Sequence, residues 1–272
     1  MPLFSTEHHT LHYITQGDRT NPPILLLHGF LGSHQDFASL LPNLSRHFYC
    51  ITPDLPGHGR TKTQPNRYTF TSTTDTLLAL LHHLNIQQTH LLGYSMGGRL
   101  ALYMVCEFPK CFIRVVLESA SPGLETAEER EKRAQSDDAI AHRLETTPLP
   151  QFLTQWYQNP LFTSTLNKPD IYTAMIQRRQ NNAPSELARA LQGFSTGRQP
   201  SLWAKLSDIR AVPLLLIVGI LDTKFVAINR NILLKQPGSK ARTKLEIVDE
   251  CGHNVHLEAP NAYAKAVISF LN

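Results

Sequence analysis

Short, continuously apolar runs alternate with longer amphipathic stretches along most of this 272-residue chain. The runs are Ile24–Leu27, Cys50–Thr52, His90–Leu92, Val115–Leu117, Leu214–Val218 and Leu245–Val248. Such runs are typical of strands buried on both faces of a parallel sheet. The stretches between them suit crossover helices, so the pattern predicts an α/β fold with a mostly parallel sheet flanked by helices.

The N-terminal run Leu11–Thr15 has a different pattern, because it alternates apolar and polar residues. Alternation of this kind is typical of a strand that buries only one of its faces. We therefore expect this run to form an antiparallel strand at the edge of the sheet.

Residues 122–205 interrupt the alternation of strands and helices, since they contain few β-type runs. The helix-prone segments here are Thr126–Arg143 and Ser185–Leu191, and the turn-forming segments are Thr147–Pro150 and Asn159–Pro160. We expect residues 122–205 to form a helical lid inserted into an α/β core made of residues 1–121 and 206–272.

Composition and charge narrow the classes of function. Hydrophobic residues make up 42% of the chain and charged residues 18%, which suits one globular domain with a sizeable core. The net charge of +4 comes from scattered lysines and arginines without a basic stripe, so we expect no nucleic-acid partner. No apolar stretch approaches the roughly 20 residues of a membrane helix, and no signal-peptide pattern is visible. We expect a cytoplasmic protein that does not bind membranes.

Neither the cysteines nor the histidines predict a metal site. The cysteines are Cys50, Cys106, Cys111 and Cys251, which form no CxxC pair and no zinc spacing, so we expect reduced structural thiols. His253 and His256 are spaced as on one face of a helix, but no third ligand has suitable spacing. We expect no metal and no cofactor.

The most informative motif is the Gly-Tyr-Ser-Met-Gly segment Gly93–Gly97. It follows the apolar run His90–Leu92 and precedes the helix-compatible run Arg99–Cys106, which is the strand–turn–helix setting of a nucleophile elbow. The two glycines leave room where strand and helix crowd together, while the turn exposes the serine hydroxyl. We predict an α/β-hydrolase fold in which Ser95 is the reactive residue.

The segment Leu27–Phe30 follows an early core strand, where this fold forms its oxyanion hole. The hole uses one backbone N–H from that loop and one from the residue after the nucleophile. This assigns the two amides to Phe30 and Met96. We expect His28 to hold the loop together and to take no part in catalysis.

An acid and a base follow Ser95 in the order that the fold requires. Asp222 comes just after the apolar run Leu214–Val218, and His253 comes after the last predicted strand. A turn-forming aspartate is the alternative for Asp222, and His256 is a competitor for the base. We prefer Asp222 and His253, with His253 taking the proton of Ser95 and Asp222 orienting the imidazole.

The triad alone leaves the reaction open, because an activated serine can attack a carbonyl or act as a strong base. Arginines offer a second signal. Arg99 lies one helical turn after Ser95, and the predicted lid contains Arg130, Arg133, Arg178 and Arg179. Each alone is most simply a solvated surface charge, but several converging over the serine would bind a substrate with multiple carboxylates.

Several segments resemble the 2-succinyl-6-hydroxy-2,4-cyclohexadiene-1-carboxylate (SHCHC) synthases of menaquinone and phylloquinone biosynthesis. They are Leu92–Arg99, Ser119–Leu124, Glu129–Asp137, Phe152–Pro160, Arg179–Asn182, Asp222–Phe225 and Gly252–His256. The elbow and the terminal Gly-His are shared by the whole superfamily, whereas the Ser-Pro-Gly-Leu and Trp-Tyr segments are much more specific. The resemblance covers almost the whole chain from Pro22 onwards.

This resemblance implies a lyase that eliminates pyruvate from 2-succinyl-5-enolpyruvyl-6-hydroxy-3-cyclohexene-1-carboxylate, a small polycarboxylate. In that reaction Ser95 would remove a ring proton. The substrate-binding residues implied by the resemblance are Tyr94, Arg99, Arg133, Trp156 and Arg179. The register of the last is open by one residue, because Arg178 precedes it.

Two other classes of function stay open. A serine carboxylesterase or a C–C bond hydrolase would use the same triad under a different lid and would not need three arginines. A non-catalytic binding protein usually lacks a triad member, and here all three are present. The sequence leaves the oligomeric state open.

Overall fold

The computed structural model describes residues 2–235 and 242–272, which contain both strands and helices. The strands are β1 (Leu3–Ser5), β2 (His9–Gln16), β3 (Pro23–Leu27), β4 (Tyr49–Pro53), β5 (Lys62–Thr63), β6 (Thr89–Tyr94), β7 (Phe112–Glu118), β8 (Leu214–Gly219) and β9 (Thr243–Val248). The α-helices are α1 (Leu41–Leu44), α2 (Phe70–His83), α3 (Met96–Glu107), α4 (Ala127–Thr146), α5 (Leu149–Tyr157), α6 (Thr163–Leu166), α7 (Pro169–Arg179), α8 (Pro184–Gly193), α9 (Thr223–Leu234), α10 (Val255–Glu258) and α11 (Pro260–Leu271).

One sheet contains all of these strands, in the order β1-β2-β4-β3-β6-β7-β8-β9, with β5 paired to β2. The neighbouring strands β4, β3, β6, β7, β8 and β9 are parallel to one another. Each of the six predicted apolar runs lies within one of them. The predicted α/β fold with a mostly parallel sheet is therefore confirmed.

Both faces of the sheet are covered, which explains why its strands are continuously apolar. Leu91 of β6 lies in a core cluster with Leu77 of α2 and Leu100 of α3. Its neighbour Leu92 faces the other way and lies in a second cluster, with Leu44 of α1 and Val267 of α11. Successive side chains of a strand point to opposite faces, so a doubly covered strand has no polar side.

The predicted edge strand is antiparallel, as expected, but it does not lie at the edge. β2 pairs with β4 and also with β1 and β5, which lie on opposite sides of it because Thr10 pairs with both Ser5 and Lys62. β1, which forms the edge, has only three residues, and β5 has only two. Such short strands carry no measurable periodicity, so the sequence pattern could not reveal them.

Five α-helices, α4 to α8, lie between β7 and β8 in chain order and fall within the predicted insertion. They have their own core, in which Leu144, Phe152 and Leu187 pack with Leu31 from the loop after β3. We call residues 122–205 the inserted segment. In residues 2–235 and 242–272, no helix is both long and apolar enough to cross a bilayer.

Two predicted boundaries in the inserted segment were wrong by a few residues. Thr126 caps α4 through a capping box with Glu129, and the helix runs three residues beyond the predicted end at Arg143. The turn predicted at Thr147–Pro150 is shorter, because α5 already begins at Leu149. Proline is tolerated in the first turn of a helix, where its missing N–H would have no partner, and this explains the difference.

Buried histidines predict that the protein loses stability in mild acid. Burial lowers the pKa of His9 and His90 to about 4 and that of His58 to about 3. Below about pH 6.5 the unfolded chain takes up protons that the folded chain does not, so the free energy of unfolding falls as the pH drops towards 4.

Urea unfolding at about pH 7 and about pH 5 tests this expectation. We expect a smaller loss of stability in His90→Gln than in the unaltered protein, by roughly 1–2 kcal/mol. Equal losses in both proteins would show that His90 does not contribute.

Candidate active site

Ser95 occupies a strained turn between β6 and α3. Its φ of 49° and ψ of −107° are unusual for a residue other than glycine. A Cβ on Gly97 would lie 2.2 Å from the Leu27 carbonyl oxygen, and one on Gly93 would lie 2.4 Å from the Gly97 carbonyl oxygen. The crowding therefore requires glycine at both positions.

The structure brings Ser95, His253 and Asp222 together. His253 Nε2 lies 2.9 Å from Ser95 Oγ, and His253 Nδ1 lies 2.6 Å from Asp222 Oδ2. The side chains of His253 and Asp222 are almost fully buried. Asp222 also caps α9, where its Oδ1 accepts the Phe225 N–H at 3.3 Å. This geometry allows a proton to move from the hydroxyl to the imidazole.

Three aromatic rings surround the His253 imidazole. The ring centroids of Phe225, Tyr94 and Phe162 lie 4.7, 5.5 and 6.0 Å from that of His253. They come from α9, from β6 and from the inserted segment. The rings restrict the orientation of the imidazole and keep water away from it.

The other two histidines considered from the sequence contact structural groups. His256 is fully buried, and its Nδ1 lies 2.9 Å from Glu118 Oε1. His28 Nδ1 bonds the Gly29 carbonyl at 2.8 Å, while its Nε2 accepts the Leu55 N–H at 2.9 Å. The His256 imidazole therefore joins α10 to β7, and the His28 imidazole holds two loops together.

Phe30 and Met96 line the same cavity as Ser95. Met96 is the first residue of α3, so its N–H has no acceptor within the helix. Leu31, the residue after Phe30, is held in place because its N–H donates to His58 Nε2 at 3.1 Å. The two residues predicted to supply the oxyanion-hole amides therefore line the cavity, Phe30 in a loop and Met96 at the start of α3.

The cavity has a volume of about 1000 Å³ and lies between the core and the inserted segment. The core contributes the three triad residues to its wall, and the inserted segment contributes Trp156 and Phe162, among others. The Trp156 ring stacks on Phe152 at 5.9 Å and meets Phe30 edge-on at 5.5 Å. A cavity of this size accommodates a ring with several substituents.

Comparisons with known proteins identify the family. The family model described as the alpha/beta hydrolase fold matches residues 22–260. A Bacillus subtilis (strain 168) protein named provisionally as an SHCHC synthase is 38% identical over 262 residues, which cover 94% of this chain and 92% of the relative. The SHCHC synthase of Serratia proteamaculans (strain 568) is 34% identical over 261 residues, which cover 95% and 96%. This chain belongs to the SHCHC synthase family of α/β hydrolases.

A solved structure agrees with that assignment. MenH from S. aureus superimposes with a TM-score of 0.89 at 30% sequence identity, over 98% of both chains. The predicted fold and family are thus confirmed.

In this SHCHC synthase family member, Arg99 differs from Arg133 and Arg179, the other two arginines predicted to bind substrate. Its guanidinium donates to the Gln199 Oε1 at 3.0 Å and to the Phe194 carbonyl at 2.7 Å, both neutral acceptors. Among the described residues, no carboxylate lies within ion-pair distance of it. Burial, and then the charge of Arg133, lowers the pKa of Arg99 to about 9, which still leaves a cation at neutral pH. A partly buried cation without a paired carboxylate is favourable for binding an anion.

The other two predicted arginines line the cavity but already have carboxylate partners. Arg133 Nε donates to Asp137 Oδ1 at 2.9 Å, and its side chain is 41% exposed. Arg179 is buried, and its two terminal nitrogens both donate to Asp36, one of them at 2.8 Å. Burial would lower the pKa of Arg179, but Asp36 and Tyr157 raise it overall. Arg178 is absent from the cavity wall in the described part of the chain, which favours Arg179 in the open register.

Tyr94 lines the cavity beside Ser95 and is held from behind. Its hydroxyl donates to Asn254 Oδ1, and its ring lies 4.6 Å from that of His256. Burial, followed by the charge of Glu118, raises the pKa of Tyr94 well above its usual value. The phenol is therefore neutral and donates a hydrogen bond.

Lys224 is a cavity residue that the sequence argument missed. It follows Thr223 in the first turn of α9 and lines the cavity near Asp222. A cation is unfavourable at a helix N-terminus, so this placement has an electrostatic cost. The only sequence signal for Lys224 is the Asp-Thr-Lys-Phe segment Asp222–Phe225, which resembles the SHCHC synthases without indicating a role for the lysine.

Proposed function

We propose that this protein eliminates pyruvate from 2-succinyl-5-enolpyruvyl-6-hydroxy-3-cyclohexene-1-carboxylate to give SHCHC in menaquinone or phylloquinone biosynthesis. Family membership supports this proposal. The observation that carries it is the partly buried guanidinium of Arg99, which has no carboxylate partner among the described residues and lines the same cavity as Ser95 and His253. Hydrolysis of a neutral ester has no use for such a group.

In the proposed mechanism, Ser95 is the base. His253 takes the hydroxyl proton, Asp222 stabilises the resulting imidazolium, and the alkoxide takes the proton from the ring carbon that bears the succinyl group. The electron pair of that C–H bond forms a new ring double bond, the existing one shifts, and the C–O bond to the enolpyruvyl group breaks. His253 then returns its proton to the departing enolate, which becomes pyruvate.

The oxyanion hole suits this chemistry. The ring proton is acidic because its removal places charge on the ketone oxygen of the succinyl group. We propose that the Phe30 and Met96 amides stabilise that oxygen or a nearby carboxylate. Uncharged backbone donors can do so without competing for the proton on Ser95.

The carboxylates of the substrate explain the charged wall of the cavity. We assign one carboxylate to Arg99 and propose Lys224, Arg133 and Arg179 as further contacts, with Tyr94 and Trp156 enclosing the ring. The inserted segment would act as a lid that excludes water and keeps the reactive enolate from side reactions.

A two-substrate assay distinguishes this lyase from a carboxylesterase or a C–C bond hydrolase. The purified protein is incubated with the enolpyruvyl compound, and pyruvate release and the absorbance of the new diene are followed together. We expect both signals to rise in equal molar amounts, with only slow turnover of p-nitrophenyl acetate. Rapid ester hydrolysis without any pyruvate would overturn the proposal.

A further inference from the structure

A buried carboxylate, that of Glu258, connects the inserted segment to the loop that carries His253. Its side chain is fully buried at the end of α10. Four donors from two parts of the chain surround its oxygens. They are Ser164 Oγ (2.9 Å), Thr165 Oγ1 (2.8 Å), Lys168 Nζ (3.2 Å) and the Gly252 backbone N–H (3.2 Å).

The residue on the other side of His253 is tied to the same place. Asn254 Nδ2 donates to Thr165 Oγ1 at 2.9 Å, and Asn254 Oδ1 accepts the hydroxyl of Tyr94. Thr165 therefore accepts one bond from Asn254 and donates its single hydroxyl proton to Glu258. Both neighbours of His253 are thus fixed by residues 164–168 and Glu258.

The packing at this junction is close. A Cβ on Gly252 would lie 2.0 Å from Ser164 Oγ, so the backbone of the loop packs directly against a side chain of the inserted segment. Three of the four donors to Glu258 come from the inserted segment. If that segment moved away, the buried carboxylate would lose most of its compensation and the loop would relax.

We propose that Thr165 and Glu258 are positioning residues that align the His253 imidazole with Ser95, so that this imidazole is correctly placed only when residues 163–168 are packed on the core. The substrate used to test this inference rests on the proposed function, whereas the alignment of His253 with Ser95 does not. Displacing a catalytic group by about 1 Å costs on the order of 100-fold in rate, so a small shift of the loop is enough.

Two variants at one position provide the test. Thr165→Val keeps the shape of the side chain but removes both hydrogen bonds, whereas Thr165→Ser keeps the hydroxyl. We expect kcat with the enolpyruvyl substrate to fall by at least about tenfold in Thr165→Val, with KM little changed, and to recover in Thr165→Ser. Ser164→Ala removes one bond to Glu258 without touching Asn254 and is expected to have a smaller effect.

Alignment is also measured without the natural substrate. A fluorophosphonate probe is attacked by Ser95 Oγ at phosphorus, fluoride leaves, and His253 takes the hydroxyl proton. We expect Thr165→Val to be labelled at least about tenfold more slowly than Thr165→Ser, with Ser95→Ala as the unlabelled control. Thermal unfolding shows which variants are folded, and Glu258→Gln replaces Thr165→Val if that variant does not fold.

If folded Thr165→Val is labelled as fast as Thr165→Ser, the proposed positioning role is wrong. The same holds for Glu258→Gln where it replaces Thr165→Val. Failure of the proposed function has a different signature, namely no pyruvate from the unaltered protein while the labelling rates still differ between variants.

Discussion

Replacing His253 by alanine is expected to lower kcat by at least about 10⁴-fold while leaving KM within a few-fold. Its Nε2 is the group 2.9 Å from Ser95 Oγ, and no other imidazole described in the structure contacts that hydroxyl. Without it, the serine hydroxyl has no base to accept its proton at neutral pH. Steady-state measurement of pyruvate release gives both constants.

His47→Ala is the matched control, because His47 is an exposed histidine on the loop after α1. We expect it to turn over like the unaltered protein. His256→Ala tests the competing histidine, and a larger loss in that variant than in His253→Ala would show that the base was assigned to the wrong residue.

Replacing Arg99 by methionine is expected to reduce kcat/KM by about 100-fold, which corresponds to the roughly 3 kcal/mol of a strong charge-assisted hydrogen bond. No described carboxylate forms an ion pair with the partly buried guanidinium, so we expect a substrate carboxylate to neutralise it. Arg133→Met should cost about tenfold or less, because Arg133 is 41% exposed and shares its charge with Asp137. Steady-state kinetics of both variants with the enolpyruvyl substrate test the ranking.

Arg99→Lys is the informative companion variant. It keeps the cation but cannot present two parallel N–H donors, so we expect an intermediate kcat/KM. Arg99 also bonds the Phe194 carbonyl, and thermal unfolding of each variant separates a loss of stability from a loss of binding. A larger effect at Arg133 than at Arg99 would contradict the assignment of the main carboxylate site.

The sequence was most informative where buried strands impose order on the chain. The apolar runs predicted the positions of β6, β8 and β9. Ser95 and Asp222 follow the first two of these strands closely, and His253 follows the third by a few positions. Parallel strands end at the same edge of a sheet, so these residues come together although 158 positions separate Ser95 from His253. The triad geometry was therefore predictable from pattern and spacing.

Side-chain partners between distant segments were not predictable in this way. Nothing near Arg179 in sequence indicates that Asp36, 143 positions away, neutralises it, or that Arg99 lacks such a partner. The same holds for Glu258 and Thr165, which meet only because the inserted segment packs on the core. Charge pairing depends on tertiary contacts, so counting arginines could suggest a polycarboxylate substrate but could not rank the arginines.

The central claim is that Ser95 removes a proton from the ring and does not form an ester with the substrate. Single-turnover pyruvate release, measured with substrate deuterated at the ring carbon that bears the succinyl group, tests it most directly. We expect release to be several-fold slower than with the unlabelled compound, because the C–H bond breaks in the step that expels enolpyruvate. Equal rates for the two compounds, with a substrate fragment covalently bound to Ser95, would contradict it.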